Sequence, residues 1–288
     1  RVVSAINTGP RPMLEIVRMV QRLGLGVLAL LAGIGPALAA EPKPWQLGFQ
    51  EPASLVKLRI HDFHDFLLVV ITLITIFVLA LMVYICWKFR KSANPTPSKT
   101  AHNTTLEVLW TVIPVVILVV VAVPSFKLLY YGDRTPNPEM TLKVVGHQWY
   151  WSYEYPDLGE VKFDSNIIPP AELKPGQKRL LDVDQPVVLP INTNVRIQFA
   201  STDVMHSWFM PALGVQVYTT PGRLNEGWVN ITKEGTYYGQ CNQICGVNHG
   251  YMPIKIQALS KDAYAKWTEE AKKKFAQAPA STNVAQLP

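Results

Sequence analysis

The chain has 288 residues, of which 49% are hydrophobic and only 17% are charged. Soluble globular domains usually carry about 25% charged residues, so the composition indicates a globular part combined with long apolar segments. It excludes a disordered chain, a fibrous repeat and a highly charged nucleic-acid binder. The net charge of +6 arises before residue 132, because residues 132–288 hold fifteen acidic and fifteen basic side chains. No nucleic-acid partner is therefore expected.

Residues 1–40 are typical of a secretory signal peptide. Arg18 and Arg22 precede an apolar run over 23–31, and the small residues over 37–40 suit a cleavage site. A third, short transmembrane helix is the alternative, which the shortness of the run and its glycine and proline content disfavour. We predict cleavage near residue 40, followed by an exported N-terminal segment over 41–62.

Two uncharged runs predict a transmembrane hairpin over 63–131. Residues 66–87 and 108–126 carry no formal charge, and a helix rising about 1.5 Å per residue crosses a roughly 30 Å hydrocarbon core with about 20 residues. We place the spans at about 66–88 and 107–129. Either run alone would also suit a buried core helix, but two runs joined by one polar loop favour a membrane.

The loop between the spans predicts the orientation. Residues 88–106 contain Lys88, Arg90, Lys91 and Lys99 and no acidic side chain. Such positively charged loops stay in the cytoplasm. Everything after about residue 130 is then expected outside. We expect a bacterial plasma membrane with the globular domain in the periplasm; the alternative is the mitochondrial inner membrane.

Residues 135–260 are expected to form an all-β domain. Short β-rich runs punctuated by proline and glycine predict an antiparallel sandwich or a Greek-key barrel. These runs cover residues 141–145, 187–191, 195–200, 227–231, 236–239 and 253–258. An amphipathic helix is expected over 261–277, and a disordered tail over 278–288.

The chemistry of the chain is concentrated at residues 241–253, which read CNQICGVNHGYMP. Cys241, Cys245, His249 and Met252 bring two thiols, an imidazole and a thioether into one short segment. Soft sulfur ligands with imidazole suit copper or zinc, and the thioether favours copper. His206 follows the predicted strand over 195–200 and could fold back to supply a second imidazole.

The two cysteines favour a dinuclear centre over a mononuclear one. A blue-copper site requires one cysteine, two histidines and a weak axial methionine. Two thiolates can instead bridge two copper ions, each completed by one imidazole and one weaker ligand, which suits electron transfer. A disulfide between exported cysteines is the alternative, which the nearby imidazoles and thioether disfavour. Cys86, in the first apolar run, is interpreted as an apolar filler.

At these residues the sequence closely resembles subunit II of the cytochrome c oxidases of bacteria and mitochondria. The resemblance covers about residues 50–270, including GHQWYWSYEY at 146–155, DVMHSW at 203–208 and PGR at 221–223. It implies a two-helix transmembrane hairpin with an outward-facing, cupredoxin-like Greek-key barrel that houses a dinuclear copper centre, CuA.

The resemblance also implies a ligand set. Cys241 and Cys245 would bridge the copper ions, His206 and His249 would be terminal ligands, and Met252 a weak one. Gln243 would give its main-chain carbonyl to copper. The family usually has glutamate there, and that side chain also binds magnesium at the junction with the catalytic subunit. Magnesium prefers hard, usually anionic oxygen, so the neutral amide of Gln243 is expected to weaken any magnesium site.

Further roles are implied outside the copper loop. Trp149 would accept electrons from cytochrome c, and Glu107 would lie at the mouth of a proton pathway into the catalytic subunit. Residues 104–107 also fit a helix capping box, which is a sufficient structural reason for Glu107. Cytochrome c is basic, so its docking surface should be acidic. Residues 154–203 hold eight acidic and five basic side chains, although an ordinary solvated surface would look similar. The expected docking residues are Glu154, Asp157, Asp164 and Asp203.

The resulting expectation is an electron-accepting subunit of a respiratory haem–copper oxidase. It would pass electrons from cytochrome c to haem in catalytic subunit I, where oxygen is reduced to water and protons are pumped. No catalytic residue is expected in this chain. The partners would be subunit I, other oxidase subunits, cytochrome c and the bilayer. The alternatives are a quinol oxidase subunit II, which lacks the copper ligands, a nitrous oxide reductase domain, and a membrane-tethered copper chaperone.

Overall fold

The computed structural model describes residues 42–159 and 161–275. The predicted signal peptide over 1–40 and the predicted tail over 278–288 lie outside this part of the chain, as does Glu160. The described part holds two long helices, then ten strands in two sheets, and then one more helix.

Helix α1 (Leu55–Lys88) begins well before the predicted span. Ser54 caps it: its Oγ accepts a hydrogen bond from the Lys57 backbone N–H at 3.0 Å and donates one to the Leu213 carbonyl at 2.6 Å. The expected exported segment over 41–62 is therefore helical from Leu55 onward. Charged residues such as Lys57 and Arg59 conceal this extension, because hydropathy identifies only the part of a helix that lies in lipid.

Helix α2 (Thr104–Asp133) contains Pro114 and Pro124 in its interior. Its N-cap is Asn103, whose side-chain oxygen accepts from the Leu106 N–H at 3.2 Å, while Glu107 accepts from the Asn103 N–H at 3.2 Å. The box predicted over 104–107 is thus wrong by one residue. Asparagine caps a helix at least as well as threonine, so the cap forms at the first strong capping residue.

Both α1 and α2 are long and apolar enough to cross a membrane. Their apolar side chains are exposed along most of their length, which suits contact with lipid or with other membrane subunits. The two helices contact each other.

Residues 140–259 form the two sheets. The strands are β1 (Met140–His147), β2 (Tyr150–Glu154), β3 (Lys162–Ser165), β4 (Val187–Pro190), β5 (Val195–Ser201), β6 (His206–Met210), β7 (Val215–Thr219), β8 (Asn225–Val229), β9 (Gly235–Cys241) and β10 (Pro253–Leu259). One sheet has the order β3-β2-β1-β5-β8, and the other β4-β10-β9-β6-β7.

The strand pairing differs from the prediction in two places. The sequence predicts antiparallel pairing, but β1 pairs with β5, and β4 with β10, in parallel. Alternating apolar residues show which side chains of a strand are buried, and they carry no information on the direction of its neighbour. Strands β2, β3, β6 and β7 were not predicted, since they are short and their sequences mix aromatic with polar residues.

The core lies between the sheets and is rich in aromatic side chains. Trp151, Tyr153, Phe199 and Trp208 are fully buried there. The Trp208 indole donates a hydrogen bond to the Tyr153 hydroxyl at 3.3 Å, which satisfies both polar groups. Helix α3 (Lys261–Phe275) closes one side of the barrel through aromatic contacts with Tyr155 and Phe163.

The helical hairpin is joined directly to the barrel. The Trp228 indole donates to the Tyr131 carbonyl at 3.1 Å, and the Ala53 N–H donates to the Ala212 carbonyl at 3.0 Å. Ala212 lies in the turn that follows β6, whereas His206 begins that strand. At about 3.3 Å per residue, His206 therefore lies roughly 13 Å along β6 from the end that meets the helices.

Candidate metal centre

Strands β6 and β9 bring the predicted ligands together. Trp208 pairs with Cys241 across the two antiparallel strands, and His206 lies two residues before Trp208, so its side chain is on the same face. The loop after Cys241 then returns to β10 through Cys245, His249 and Met252. Residues far apart in the sequence thus converge because one strand pairing aligns their ends.

The two cysteines face each other as separate thiols. Their sulfur atoms are 4.0 Å apart, about twice the length of a disulfide bond. The donor atoms of His206, Cys241 and Cys245 all lie within 4.8 Å of one another, and all three residues are buried. This arrangement suits one or more soft metal ions held between the side chains.

The remaining predicted ligands surround this trio. The His249 Nδ1 atom lies 3.5 Å from the Cys245 sulfur, and the Met252 sulfur lies 3.6 Å from it. The Gln243 carbonyl oxygen lies 3.3 Å from the Cys241 sulfur. All six predicted copper-ligating groups are therefore grouped around the two sulfurs.

His206 is oriented for metal binding. Its Nε2 atom lies 2.8 Å from Asp203 Oδ1, and its Nδ1 atom is buried with no hydrogen-bond partner among the described residues. A carboxylate can only accept, so Nε2 carries the proton and Nδ1 keeps a free lone pair. A buried imidazole nitrogen that faces two thiols is the donor that a metal ion would require. The residues present therefore fit copper.

Asp203 is ionised, so that it can accept the hydrogen bond from His206 Nε2. Partial burial raises the pKa of Asp203, but hydrogen bonds from His206 and from the Val204 and Gln148 N–H groups lower it below its ordinary value. Its Oδ2 atom accepts from the Gln148 N–H at 2.6 Å. One carboxylate thus holds both the His206 ring and the backbone that carries Trp149.

The two thiols differ in acidity. Burial raises the pKa of Cys241, but the neighbouring His206 and backbone groups of Ser207 and Gln243 hold it below its ordinary value. Burial and the adjacent Cys241 sulfur raise the pKa of Cys245 to about 12. Two adjacent thiolates need positive charge between them, so a bound metal cation would favour both ionised forms.

Gly146 provides the space for His206. A Cβ atom at this position would lie 2.8 Å from His206 Cδ2 and 2.9 Å from Thr219 Oγ1. Any larger residue would push the imidazole away from the sulfurs. Gly146 could not be predicted from the sequence alone, because His206, which requires the space, lies on a strand that is distant in sequence.

Trp149 lies directly on the metal loop. Its indole N–H donates to the Cys245 carbonyl at 3.1 Å, and the Gln148 side chain donates to the same oxygen at 2.8 Å. Gly246 has a φ of +122°, and a Cβ there would lie 2.8 Å from the Trp149 ring. A glycine is required at that position because the indole packs against the backbone.

Trp151, which is outside the predicted set of site residues, also contacts the centre. Its indole donates to the Met252 carbonyl at 3.1 Å, and its ring centre lies 5.9 Å from that of His206. Its position two residues after Trp149 is the sequence signal that could have identified it. Trp151 is fully buried, so it supports the site from inside the barrel.

The four predicted docking acids fall into two groups. Asp203 and Asp164 lie near Tyr150, and both act on the pKa of that residue, which burial raises first and their negative charge raises further. Glu154 is at the other end of β2, about 13 Å from Tyr150, and Asp157 lies beyond it, accepting from the Thr141 N–H at 2.6 Å. Only the first pair is therefore close to Trp149.

Glu154 is also largely neutralised. Its carboxylate forms salt bridges with Lys143 at 2.9 Å and with Lys162 at 2.7 Å. Two cations around one anion leave a local surplus of positive charge. This end of the sheet is therefore less suited to a basic partner than the sequence predicts.

Glu107 and Gln243 occupy different surroundings. Glu107 is in the first turn of α2, about 39 Å along the helix axis from Asp133 and so remote from the metal loop.

Gln243 is half-buried beside Cys241, and its side chain is a neutral amide. No contact of the described residues supports magnesium at Gln243.

Two family profiles match the chain. One is described as cytochrome C oxidase subunit II, periplasmic domain, and matches residues 140–259. The other is described as cytochrome C oxidase subunit II, transmembrane domain, and matches residues 42–128.

Relatives from a bacterium and a plant match most of the chain. The probable cytochrome c oxidase subunit 2 of Rickettsia bellii (strain RML369-C) is 49% identical over 235 residues, covering 82% of this chain and 87% of that protein. The cytochrome c oxidase subunit 2 of Oenothera berteroana is 47% identical over 237 residues, covering 80% of this chain and 92% of that protein.

A solved structure is also similar. The crystal structure of the periplasmic domain of subunit II of cytochrome oxidase from Bradyrhizobium japonicum is 44% identical, covers 49% of this chain and 99% of that chain, and has a TM-score of 0.46. The identity of the relatives over most of their length, with both family profiles in the expected order, confirms the resemblance. The chain belongs to the cytochrome c oxidase subunit II family and is a subunit of a haem–copper oxidase.

Proposed function

We propose that this chain accepts electrons from cytochrome c at a dinuclear copper centre and passes them to haem in the catalytic subunit. Oxygen reduction to water and proton pumping would take place in that partner. The observation that carries the proposal is the buried group of two thiols and one free imidazole nitrogen within 4.8 Å of one another.

Some groups of the chain would bind copper, and others hold those ligands in position. Cys241 and Cys245 would bridge two copper ions, with His206 and His249 as terminal ligands and Met252 and the Gln243 carbonyl as weaker ones. Copper supplies one-electron chemistry when bound. The chain keeps the ligand positions rigid, since Asp203 orients His206 and the aromatic core supports Met252. A rigid frame lowers the reorganisation that accompanies each electron transfer.

Trp149 is the proposed point at which electrons arrive. Its half-buried indole reaches the surface on one side and donates to the Cys245 carbonyl on the other. An electron arriving at this ring is then one hydrogen bond from the backbone of a bridging cysteine. Asp164 and Asp203 would attract the basic face of cytochrome c to the same edge, with Glu154 and Asp157 contributing less.

Two further roles depend on the placement in the membrane. With the positive loop in the cytoplasm, the barrel would lie in the periplasm of a bacterium, or in the corresponding space of a mitochondrion. Glu107 would then lie near the cytoplasmic surface, where it can receive protons for the catalytic subunit. Magnesium is outside this proposal, because Gln243 offers no anionic oxygen.

Metal analysis of the purified full-length chain loaded with copper tests the proposal. We expect two copper ions per chain and an electron paramagnetic resonance spectrum of one electron shared equally by two copper nuclei. Substitution of either cysteine by serine should abolish that spectrum. A single copper ion per chain, or a disulfide that excludes copper, would contradict the proposal and favour a copper-delivery function.

A further inference from the structure

A cavity of roughly 340 Å³ opens between α1 and α2 on the barrel side of the hairpin. Arg59 and Asp62 of α1 and Lys127 of α2 supply its charged groups, while Phe63 and Phe66 form an apolar wall. Neither the electron-transfer centre nor the proton pathway uses these residues.

The depth of the cavity follows from the sequence of the two helices. The uncharged run of α1 begins at Phe66, and that of α2 ends directly before Lys127. At about 1.5 Å per residue, Asp62 and Arg59 lie roughly 6 and 10 Å beyond the start of the run. The polar headgroup layer extends about 5–8 Å beyond the hydrocarbon core on each side. The backbone positions of Asp62 and Lys127 are therefore at the level of lipid headgroups. Arg59 lies about 2 Å beyond that layer, and its long side chain can reach back into it.

The two cations of the cavity are Arg59 and Lys127. Among the described residues, neither Arg59 nor Lys127 forms an ion pair within 4.0 Å. The Arg59 guanidinium lies 3.5 Å from the centre of the Tyr131 ring. Stacking on a ring leaves the in-plane N–H donors of the guanidinium free for an oxygen ligand. With Asp62 included, the cavity carries a formal charge of one positive unit.

We propose that this cavity binds the headgroup of an anionic phospholipid from the outer leaflet. The phosphate would accept hydrogen bonds from Arg59 and Lys127, which are strong because both partners are charged. A headgroup hydroxyl would donate to Asp62, and the acyl chains would pass Phe66 toward the hydrocarbon core. Phosphatidylglycerol has this combination of groups, whereas phosphatidylcholine has neither a net charge nor a headgroup donor.

Lipid titration of the whole, delipidated oxidase complex tests this site, with bound lipid counted by native mass spectrometry. Each basic residue near a membrane surface contributes about fivefold to the binding of anionic lipid, so Arg59→Gln combined with Lys127→Gln should weaken phosphatidylglycerol binding about 30-fold. Phosphatidylcholine binding should not change. The matched control is Lys266→Gln combined with Lys273→Gln, which removes the same charge from the exposed face of α3 and should bind like the wild type.

Equal phosphatidylglycerol affinity in the two double variants would overturn the proposal. Loss of other oxidase subunits from the Arg59 and Lys127 variant would also overturn it, because the two residues would then hold a subunit contact. Arg59→Lys combined with Lys127→Arg keeps both charges and should retain lipid binding, which separates charge from folding. The copper spectrum and cytochrome c oxidation by the same samples test the electron-transfer function independently.

Discussion

Gly146 and Asp203 position His206 without being ligands themselves. Gly146 leaves the space that the imidazole fills, and Asp203 accepts the Nε2 proton so that Nδ1 remains free. Asp203 also holds the Gln148 backbone beside Trp149. The ligand geometry and the proposed point of electron arrival therefore share one carboxylate, which gives Asp203 a structural role besides the predicted one in docking.

We expect Gly146→Ala to impair copper binding. Its Cβ would lie 2.8 Å from His206 Cδ2, and overpacking of this kind typically costs about 1–3 kcal/mol. Copper content and the free energy of unfolding of the purified chain measure the effect. Gly250→Ala is the control, since it lies in the metal loop and a Cβ there has no heavy atom within 4 Å. Equal copper content in both variants would show that Gly146 is not needed for space.

We expect Asp203→Asn to lower copper affinity about 10–100-fold, the usual effect of losing a group that orients a metal-binding histidine. An amide has one acceptor oxygen, so it cannot serve both His206 and the Gln148 N–H as the carboxylate does. Competition with a copper chelator measures the affinity. Asp157→Asn removes a carboxylate that, among the described residues, accepts from the Thr141 backbone, and it should leave the affinity unchanged.

At the scale of elements, the start of α1 connects the membrane hairpin to the barrel. Ser54 is fully buried, caps the helix and donates to the Leu213 carbonyl on the barrel. The Trp228 indole makes a second connection to the end of α2. The metal centre is therefore held at a defined position relative to the membrane.

Ser54→Ala should destabilise the chain by about 2–4 kcal/mol, because a lost cap costs about 1 kcal/mol and an unsatisfied buried carbonyl a further 1–3 kcal/mol. Denaturant unfolding in detergent, followed by tryptophan fluorescence, measures this change. Asn103→Ala removes the exposed cap of α2 and should cost only about 1 kcal/mol. Similar costs for the two variants would mean that the Ser54 contact with the barrel contributes little.

At the scale of the whole molecule, charge is distributed unevenly along the first sheet. Asp203 lies at the end near Trp149 and Asp164 pairs with Ser152 in the middle of β2, whereas Glu154, at the far end of β2, is paired with two lysines. The screening length is about 10 Å at 0.1 M salt, so a bound partner at Trp149 senses mainly the nearer acids.

Asp164→Asn should slow cytochrome c oxidation roughly two- to fivefold at low ionic strength, which corresponds to a surface charge worth up to about 1 kcal/mol. The rate should also depend less on salt than in the wild type. Asp157→Asn, at the far end of the sheet, should behave like the wild type. Steady-state oxidation rates over a series of salt concentrations distinguish the two variants, and an equal response would place the docking surface elsewhere.

The sequence by itself determined the membrane hairpin, the presence of a β domain and the identity of the six grouped copper-ligating candidates. Uncharged runs of that length have few alternatives to a membrane, and two thiols with an imidazole and a thioether in one short loop have few alternatives to a soft metal. Local patterns sufficed because the residues involved are close together in the chain. His206 was predicted from its position after the strand over 195–200, although it is distant from the loop. The Gln243 carbonyl was the exception, since only the resemblance to a known family supplied its role.

Only the tertiary structure decided how these parts meet. The parallel pairing of β1 with β5, the space at Gly146 and the double role of Asp203 all join residues that are distant in sequence. The same is true of the salt bridges that neutralise Glu154. Such contacts depend on strand order and register, which alternating apolar residues do not encode, because a side chain's face is a local property and its neighbour across the sheet is not.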